Sequence, residues 1–180
     1  QWDVDGLLVS NHTQYSWITD WDLTTDNNGN CVMAFNDARD GNANVFAYAI
    51  SPSGEFLWGA DGIRLTNDPN DEFVPSISVT SDNNTIVVWQ RPTSPYREVA
   101  MQKITPAGEL SWGASGKSFK SMEYNYGGPR VLGVEGDNYL MAFYKEIGNF
   151  PSFTRSIYVQ KFDASGTPVW FGNVLASDAN

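Results

Sequence analysis

Ser51-Pro-Ser-Gly54-Glu-Phe-Leu-Trp58, Thr105-Pro-Ala-Gly108-Glu-Leu-Ser-Trp112 and Asp163-Ala-Ser-Gly166-Thr-Pro-Val-Trp170 are three versions of one segment, each placing a tryptophan four residues after a turn glycine. An apolar run precedes each, and the aromatic residues Phe35, Trp89 and Phe143 recur at 54-residue steps, while the Gly-Trp pairs are spaced by 54 and then 58. The four extra residues fall between Phe143 and Ile157. A period near fifty with several short strands per unit is the signature of stacked β-blades, none of which can bury both of its faces alone.

Outward from that segment, every unit supplies four strand candidates, A to D. The A strands lie around Thr19 to Thr24, Pro75 to Thr80 and Pro129 to Val134, and the B strands run Cys31 to Phe35, Thr85 to Trp89 and Tyr139 to Phe143. Between them stand polar turns, Asp26 to Asn30, Ser81 to Asn84 and Glu135 to Asn138, rich in residues that tolerate left-handed backbone and so predict tight hairpins. The C strands run Val45 to Ile50, Val99 to Ile104 and Ile157 to Phe162, and the D strands are expected to begin at Trp58, Trp112 and Trp170. The B strands are almost unbroken apolar runs, which requires cover on both faces. Polar residues in the C strands (Tyr48, Gln102, Lys103, Gln160 and Lys161) suggest a position nearer the outside of each blade. The tryptophans read as blade-to-blade packing, since a fully buried ring contributes about 4–6 kcal/mol at ~25 cal/mol per Å².

The polar turn, the B strand closed by an aromatic, and Ile157-Tyr-Val-Gln-Lys-Phe-Asp-Ala-Ser-Gly-Thr-Pro-Val-Trp170 together resemble the repeats of secreted bacterial β-propellers of the kind common in Bacteroidetes, a group of generally uncharacterised function. The resemblance spans nearly the whole chain and implies an extracellular or cell-surface location, or a periplasmic one. The C-to-D turn is also similar to the sialidase-type Asp-box, but the box aspartate is absent and the tryptophan follows the glycine by four residues rather than three. No catalytic residue carries over from it.

Trp2-Asp-Val-Asp-Gly6-Leu-Leu-Val-Ser-Asn11 matches Trp58-Gly-Ala-Asp-Gly62-Ile-Arg-Leu-Thr-Asn67, so residues 1–11 are expected to be a surplus D strand, ahead of blades at 16–67, 74–121 and 129–180. A closed propeller needs at least four blades. The expected fold is therefore an all-β array of four-stranded antiparallel blades, three repeats plus one strand. Missing blades, or a second copy of the chain, would complete the ring.

Composition narrows the functions. A net charge of −10, with 11 Lys and Arg against 21 Asp and Glu, argues against nucleic acid as a partner, because backbone binding is driven by cations displacing counterions. No apolar run reaches the ~18 residues of a membrane span. Cys31 is the only cysteine, so neither an intrachain disulfide nor a thiolate-clustered zinc site is expected, and it reads as a small buried strand residue.

Function is sought in the long loops at one end of the blades, the B-to-C and D-to-A connections, since binding residues concentrate on loops held by a rigid scaffold. These carry Tyr15, Phe73, Arg91, Tyr96, Arg97, Tyr124, Tyr126, Phe150 and Phe153, a set suited to stacking on sugar rings or anchoring a protein, or else to capping blade ends. His12, the sole histidine, is poorly placed for a Ser-His-Asp triad. Asp68, Asp71 and Glu72 could furnish paired carboxylates but read as solvated loop acids. Asp37 to Asn42 and Asp26 to Asn30 lack the calcium-loop spacing and read as turns. No cofactor or metal is implied. The expectation is a non-catalytic binding or scaffolding module for carbohydrate or protein. The alternative is a segment of a propeller-type glycoside hydrolase or sialidase-like enzyme whose catalytic residues lie partly outside the chain.

Overall fold

The computed structural model describes residues 4–12, 20–149, 151–172 and 174–177. These contain no helix, and twelve strands: β1 (Trp21–Thr25), β2 (Cys31–Asp37), β3 (Asn44–Ile50), β4 (Ile63–Arg64), β5 (Phe73–Val79), β6 (Thr85–Arg91), β7 (Glu98–Ile104), β8 (Lys117–Phe119), β9 (Asn125–Gly133), β10 (Tyr139–Asn149), β11 (Ser152–Phe162) and β12 (Val174–Ser177). They form three antiparallel sheets in the orders β1-β2-β3-β4, β5-β6-β7-β8 and β9-β10-β11-β12, referred to below as blades 1, 2 and 3.

The hairpin turns are built as the repeat requires. Gly29, Asn83 and Asp137, which succeed one another at 54-residue steps, all take left-handed backbone with φ of 81°, 63° and 59°. Glycine, asparagine and aspartate are the residue types that visit this region at least cost. In blade 1 the Asp26 carboxylate accepts from the Asn28 and Asn30 N–H groups, each at 2.9 Å, so this acid is consumed in forming its turn.

Two placements differ from the sequence reading. The tryptophans do not open the fourth strands: Trp58 and Trp112 sit in turns, and those strands begin at Ile63, Lys117 and Val174. The intervening turns are pinned by side chains of the third strand. Gln102 accepts from Trp112 N–H through Oε1 (3.2 Å) and donates through Nε2 to the carbonyls of Gly113 (2.8 Å) and Leu65 (3.1 Å). Gln160 repeats this with Trp170 N–H (3.1 Å) and the Gly172 carbonyl (3.0 Å). Both glutamines are buried rather than turned outward, because a buried amide that meets backbone groups is well satisfied.

Adjacent blades join through their faces. Val32, Ala34, Val45, Ala47 and Ala49 of blade 1 receive Val87, Trp89 and Ala100 of blade 2. The opposite face of blade 2 (Ile86, Val88, Val99 and Met101) receives Tyr139, Met141, Phe143 and Phe162 of blade 3. Small residues facing one large ring at the first joint, and branched residues facing several rings at the second, fill each interface in a different way. Cys31 is half-buried in β2, and burial pushes its thiol above the usual range.

The first strands β1, β5 and β9 run side by side. Belonging to different sheets, they are joined by side chains: Ile77 N–H donates to Asp22 Oδ2 at 3.1 Å, and one repeat later Val131 N–H donates to Ser76 Oγ at 3.3 Å.

The tryptophans of blades 1 and 2 are each covered by the glycine turn of the next blade. A Cβ at Gly108 would stand 2.8 Å from Trp58 Cδ1, and one at Gly166 would stand 3.1 Å from Trp112 Cζ2. Trp58 Nε1 also donates to the Pro106 carbonyl at 3.1 Å. The recurring Gly-x-x-x-Trp segment is thus an interlock, in which the glycine faces back and the tryptophan faces forward.

Residues 4–12 form no strand. Val9, which matches Leu65, packs on Phe35, Phe46 and Tyr48, the face of blade 1 turned away from blade 2. Leu65 packs in the same way at the joint between blades 1 and 2. The N-terminal segment therefore occupies the place of a fourth strand belonging to a blade before blade 1. Trp2 lies outside the described residues.

Candidate functional site

At the long-loop end of blade 1, Arg39 forks onto the Asp37 carboxylate, donates to Tyr48 Oη at 2.9 Å and lies 3.7 Å above the Phe46 ring. In blade 2, Arg91 is 5% exposed and fully engaged: Nη1 lies 3.0 Å from Asp68 Oδ2, Nε donates to Glu98 Oε1 at 2.9 Å, and Nη2 donates to Ser118 Oγ at 2.9 Å. Glu72 is buried beside it, accepting from Thr66 Oγ1 at 2.7 Å and Val45 N–H at 3.0 Å. Burial pushes the Glu72 carboxyl up, only partly opposed by those hydrogen bonds and the nearby Arg91 charge. In blade 3, Glu146 is held by Arg97 and Arg155. Burial raises its pKa, but the two guanidinium groups more than offset this and leave the carboxyl below the usual range.

Asp68, Asp71 and Glu72 are therefore not solvated loop acids. Asp68 pairs with Arg91, Asp71 accepts from Ala43 N–H at 2.9 Å, and Glu72 is sealed in the interior.

Of the residues predicted to meet a ligand, Arg91 and Tyr126 are buried; Tyr126 stacks on Phe119 with ring centroids 5.2 Å apart. Tyr126 sits in the core between blades 2 and 3, whereas Arg91, although nearly buried, still lines two clefts, one with Asn67 and Asp68 and one with Tyr96. Arg97 and Phe153 meet in one cluster around Arg155, whose guanidinium lies 4.5 Å from the Tyr144 ring centre and 4.7 Å from that of Phe153. Tyr124 carries Lys145 Nζ 3.6 Å above its ring. Tyr96 is separate, in a cleft of about 420 Å³ that it shares with Pro95, Ser118, Lys120 and Met122. Phe73 is half-buried at the start of β5, where it pairs with Gln90. Tyr15 and Phe150 lie outside the described residues. His12 Nε2 lies 3.7 Å from Asp61 Oδ1. Among the described residues, no group of three His, Cys, Asp or Glu side chains is placed to hold a metal ion.

One acid stands apart from these networks. Asp20 immediately precedes β1, at the long-loop end of the converging first strands, and its Oδ2 accepts from Val74 N–H of the next blade at 3.0 Å. Val74 has φ of 54°, in a strand irregularity between Phe73 and Ser76. Left-handed backbone at a β-branched residue is a genuine outlier, and such strain clusters at functional sites. One repeat on, the matching residue is Gly128 with φ of 56°, where the same bend carries no side-chain penalty. Asp20 was missed in the sequence because an acid at the edge of a strand candidate resembles turn chemistry. The signal that could have found it is its register: Asp20 aligns with Val74 and Gly128 at the head of the innermost strand.

No protein-family model matches the chain. No curated protein matches it either. Solved structures do match: the endo-arabinase from Bacteroides thetaiotaomicron superposes with a TM-score of 0.56 at 13% identity, over 92% of this chain and 62% of that one. The native arabinanase from Bacillus subtilis gives 0.50 at 11% identity, over 89% and 59% respectively. The chain thus spans about three fifths of the length of these enzymes. The expectation of a non-catalytic binding or scaffolding module is corrected by these neighbours, which are enzymes and favour the glycoside-hydrolase alternative. Among the described residues no helix is long and apolar enough to cross a membrane. The three sheets, their face-to-face joints and these superpositions establish an all-β propeller fold, with three blades of an incomplete ring.

Proposed function

We propose that this chain supplies three blades of a propeller-type glycoside hydrolase acting on an arabinose-containing polysaccharide. Fold alone does not carry a function. The observation that carries this reading is Asp20, set beside the strained Val74 where the first strands converge, in an architecture shared with arabinanases. Glycoside hydrolysis needs two carboxyl groups flanking the scissile bond, one to protonate the leaving oxygen and one to activate water or attack the sugar. Asp20 is the one we assign among the described residues. A single N–H holds Oδ2, and no hydrogen bond to Oδ1 is seen among the described residues. Asp22, two residues on, differs: Oδ1 accepts from Leu23 N–H at 3.0 Å, and Oδ2 from Ser76 Oγ and Ile77 N–H, each at 3.1 Å. Asp22 is a strut between blades. The positions matching Asp20 in blades 2 and 3 are Val74 and Gly128, so the second carboxyl comes from outside the heads of these three strands.

A polymeric substrate cannot cross a bilayer unaided, so the working protein belongs outside the cytoplasm. The test is release of reducing sugar from α-1,5-linked arabinan by the protein that carries these blades. Asp20→Asn is expected to lower kcat by about 10²–10⁴ without changing the unfolding midpoint, and Asp22→Asn to lower the midpoint with kcat retained. An Asp20→Asn protein as active as the parent would remove the proposal's foundation.

A further inference from the structure

The joint between blades 2 and 3 has two points of attachment at its short-turn end. The Trp112 ring receives Gly166, and beside it the Asp137 carboxylate accepts from Thr80 Oγ1 at 2.6 Å and Asn84 Nδ2 at 2.8 Å, with Lys103 Nζ at 3.4 Å. Moved on by one repeat, Thr80, Asn84, Lys103 and Trp112 become Val134, Asn138, Lys161 and Trp170. Those four residues, with Leu140, Glu135 and Gly136, line a cavity of about 510 Å³ on the free face of blade 3. Leu140 succeeds Ile86, which blade 3 buries completely. On the same face, Leu132 is 60% and Trp170 38% exposed. Among the described residues Lys161 Nζ has no ionic partner, whereas its counterpart Lys103 has Asp137.

We propose that this cavity is a socket for a further blade of the same repeat. That blade brings an aspartate in the turn between its first and second strands, to lie between Lys161 and Asn138, and a glycine in the turn after its third strand, to lie on Trp170. A blade is the fitting occupant because the face continues an interface already present in the molecule, although Glu135 stands where that interface has Ser81. Val134 in place of Thr80 removes one hydroxyl donor, which leaves Lys161 and Asn138 to hold the carboxylate. The inference is independent of the glycosidase reading.

The test extends the full chain at its C-terminus with a second copy of residues 120–177. Trp170 is followed by fluorine NMR of the 5-fluorotryptophan protein, its signal assigned by Trp170→Phe, and its exposure is measured by acrylamide quenching. The extension is expected to shield Trp170 several-fold relative to the parent. Asp137→Ala with Gly166→Val in the added copy should abolish the shielding, and Lys161→Ala in the original copy, which leaves the added blade's own sequence untouched, should weaken it. A Trp170 as exposed after extension as before, or shielding that survives all of these changes, overturns the proposal. Shielding already present in the parent and rising with protein concentration would make a second copy the occupant and overturn it as well.

Discussion

Asp137 illustrates how one side chain ties two blades. Its carboxylate accepts from Thr80 Oγ1 and, through both oxygens, from Asn84 Nδ2, and meets the Lys103 ammonium; although burial raises its pKa, these contacts outweigh it and hold the carboxyl below the usual range. A group whose pKa is depressed by folding stabilises the native state above its unfolded pKa and loses that contribution as pH falls through the folded value. Asp137→Ala is therefore expected to cost about 1–3 kcal/mol at neutral pH. The gap from wild type should begin to narrow below about pH 4, where an unfolded-chain aspartate takes up its proton, and close only as pH falls below the lowered folded value. Urea unfolding of both proteins at pH 7 and pH 3 measures this; a gap that persists unchanged at pH 3 would show that the stabilisation does not come from the charged form. The sequence showed Asp137 only as a turn residue. Its turn role is real, but its partners lie more than thirty residues away, and no local pattern reports a contact made across a joint.

The turn carrying each glycine and the turn carrying each tryptophan work as a pair, and substitution can separate the contact from the backbone. Gly108 and Gly59 have nearly the same φ, 87° and 90°, but a Cβ at Gly108 would meet Trp58 at 2.8 Å while one at Gly59 would meet nothing within 4 Å. Gly59→Ala should cost about 1–2 kcal/mol for left-handed backbone alone, and Gly108→Ala clearly more. Equal losses in urea unfolding would mean that the glycine is required for its turn and not for its neighbour's ring. Gln102→Ala is the complementary change: it strips the Leu65 and Gly113 carbonyls and the Trp112 N–H of their partner, at about 1–3 kcal/mol for the buried Leu65 carbonyl and less for the two groups that water can reach. The strands β4 and β8 are two and three residues long, too short for an alternating pattern, so the tryptophan was the only visible landmark and their start was read early. Gln102 was placed outside because polarity was read as exposure, when its amide is consumed by backbone groups of the turn it holds. The first, second and third strands, by contrast, were legible from apolar runs bounded by turns with the required left-handed residues.

At the scale of the molecule, the repeat announces three blades, but only their faces tell the blades apart. Blade 2 is covered on both sides, by small residues of blade 1 and aromatic residues of blade 3. Blade 1 has Val9 packed on its far side, and blade 3 has a free face. Amides exchange fastest where opening exposes little apolar contact and slowest where it must break a buried joint. Hydrogen exchange under native conditions is therefore expected to find β3, β6 and β7 slowest, since all three are buried along all or nearly all of their length. The half-exposed β1 should exchange faster, despite pairing with β2 at five positions. Exchange in β10 should lie between these limits, because only one of its faces is packed against a neighbour. If β10 proved as protected as β6, a partner would already be seated on blade 3 in solution, and the free face described here would not be free.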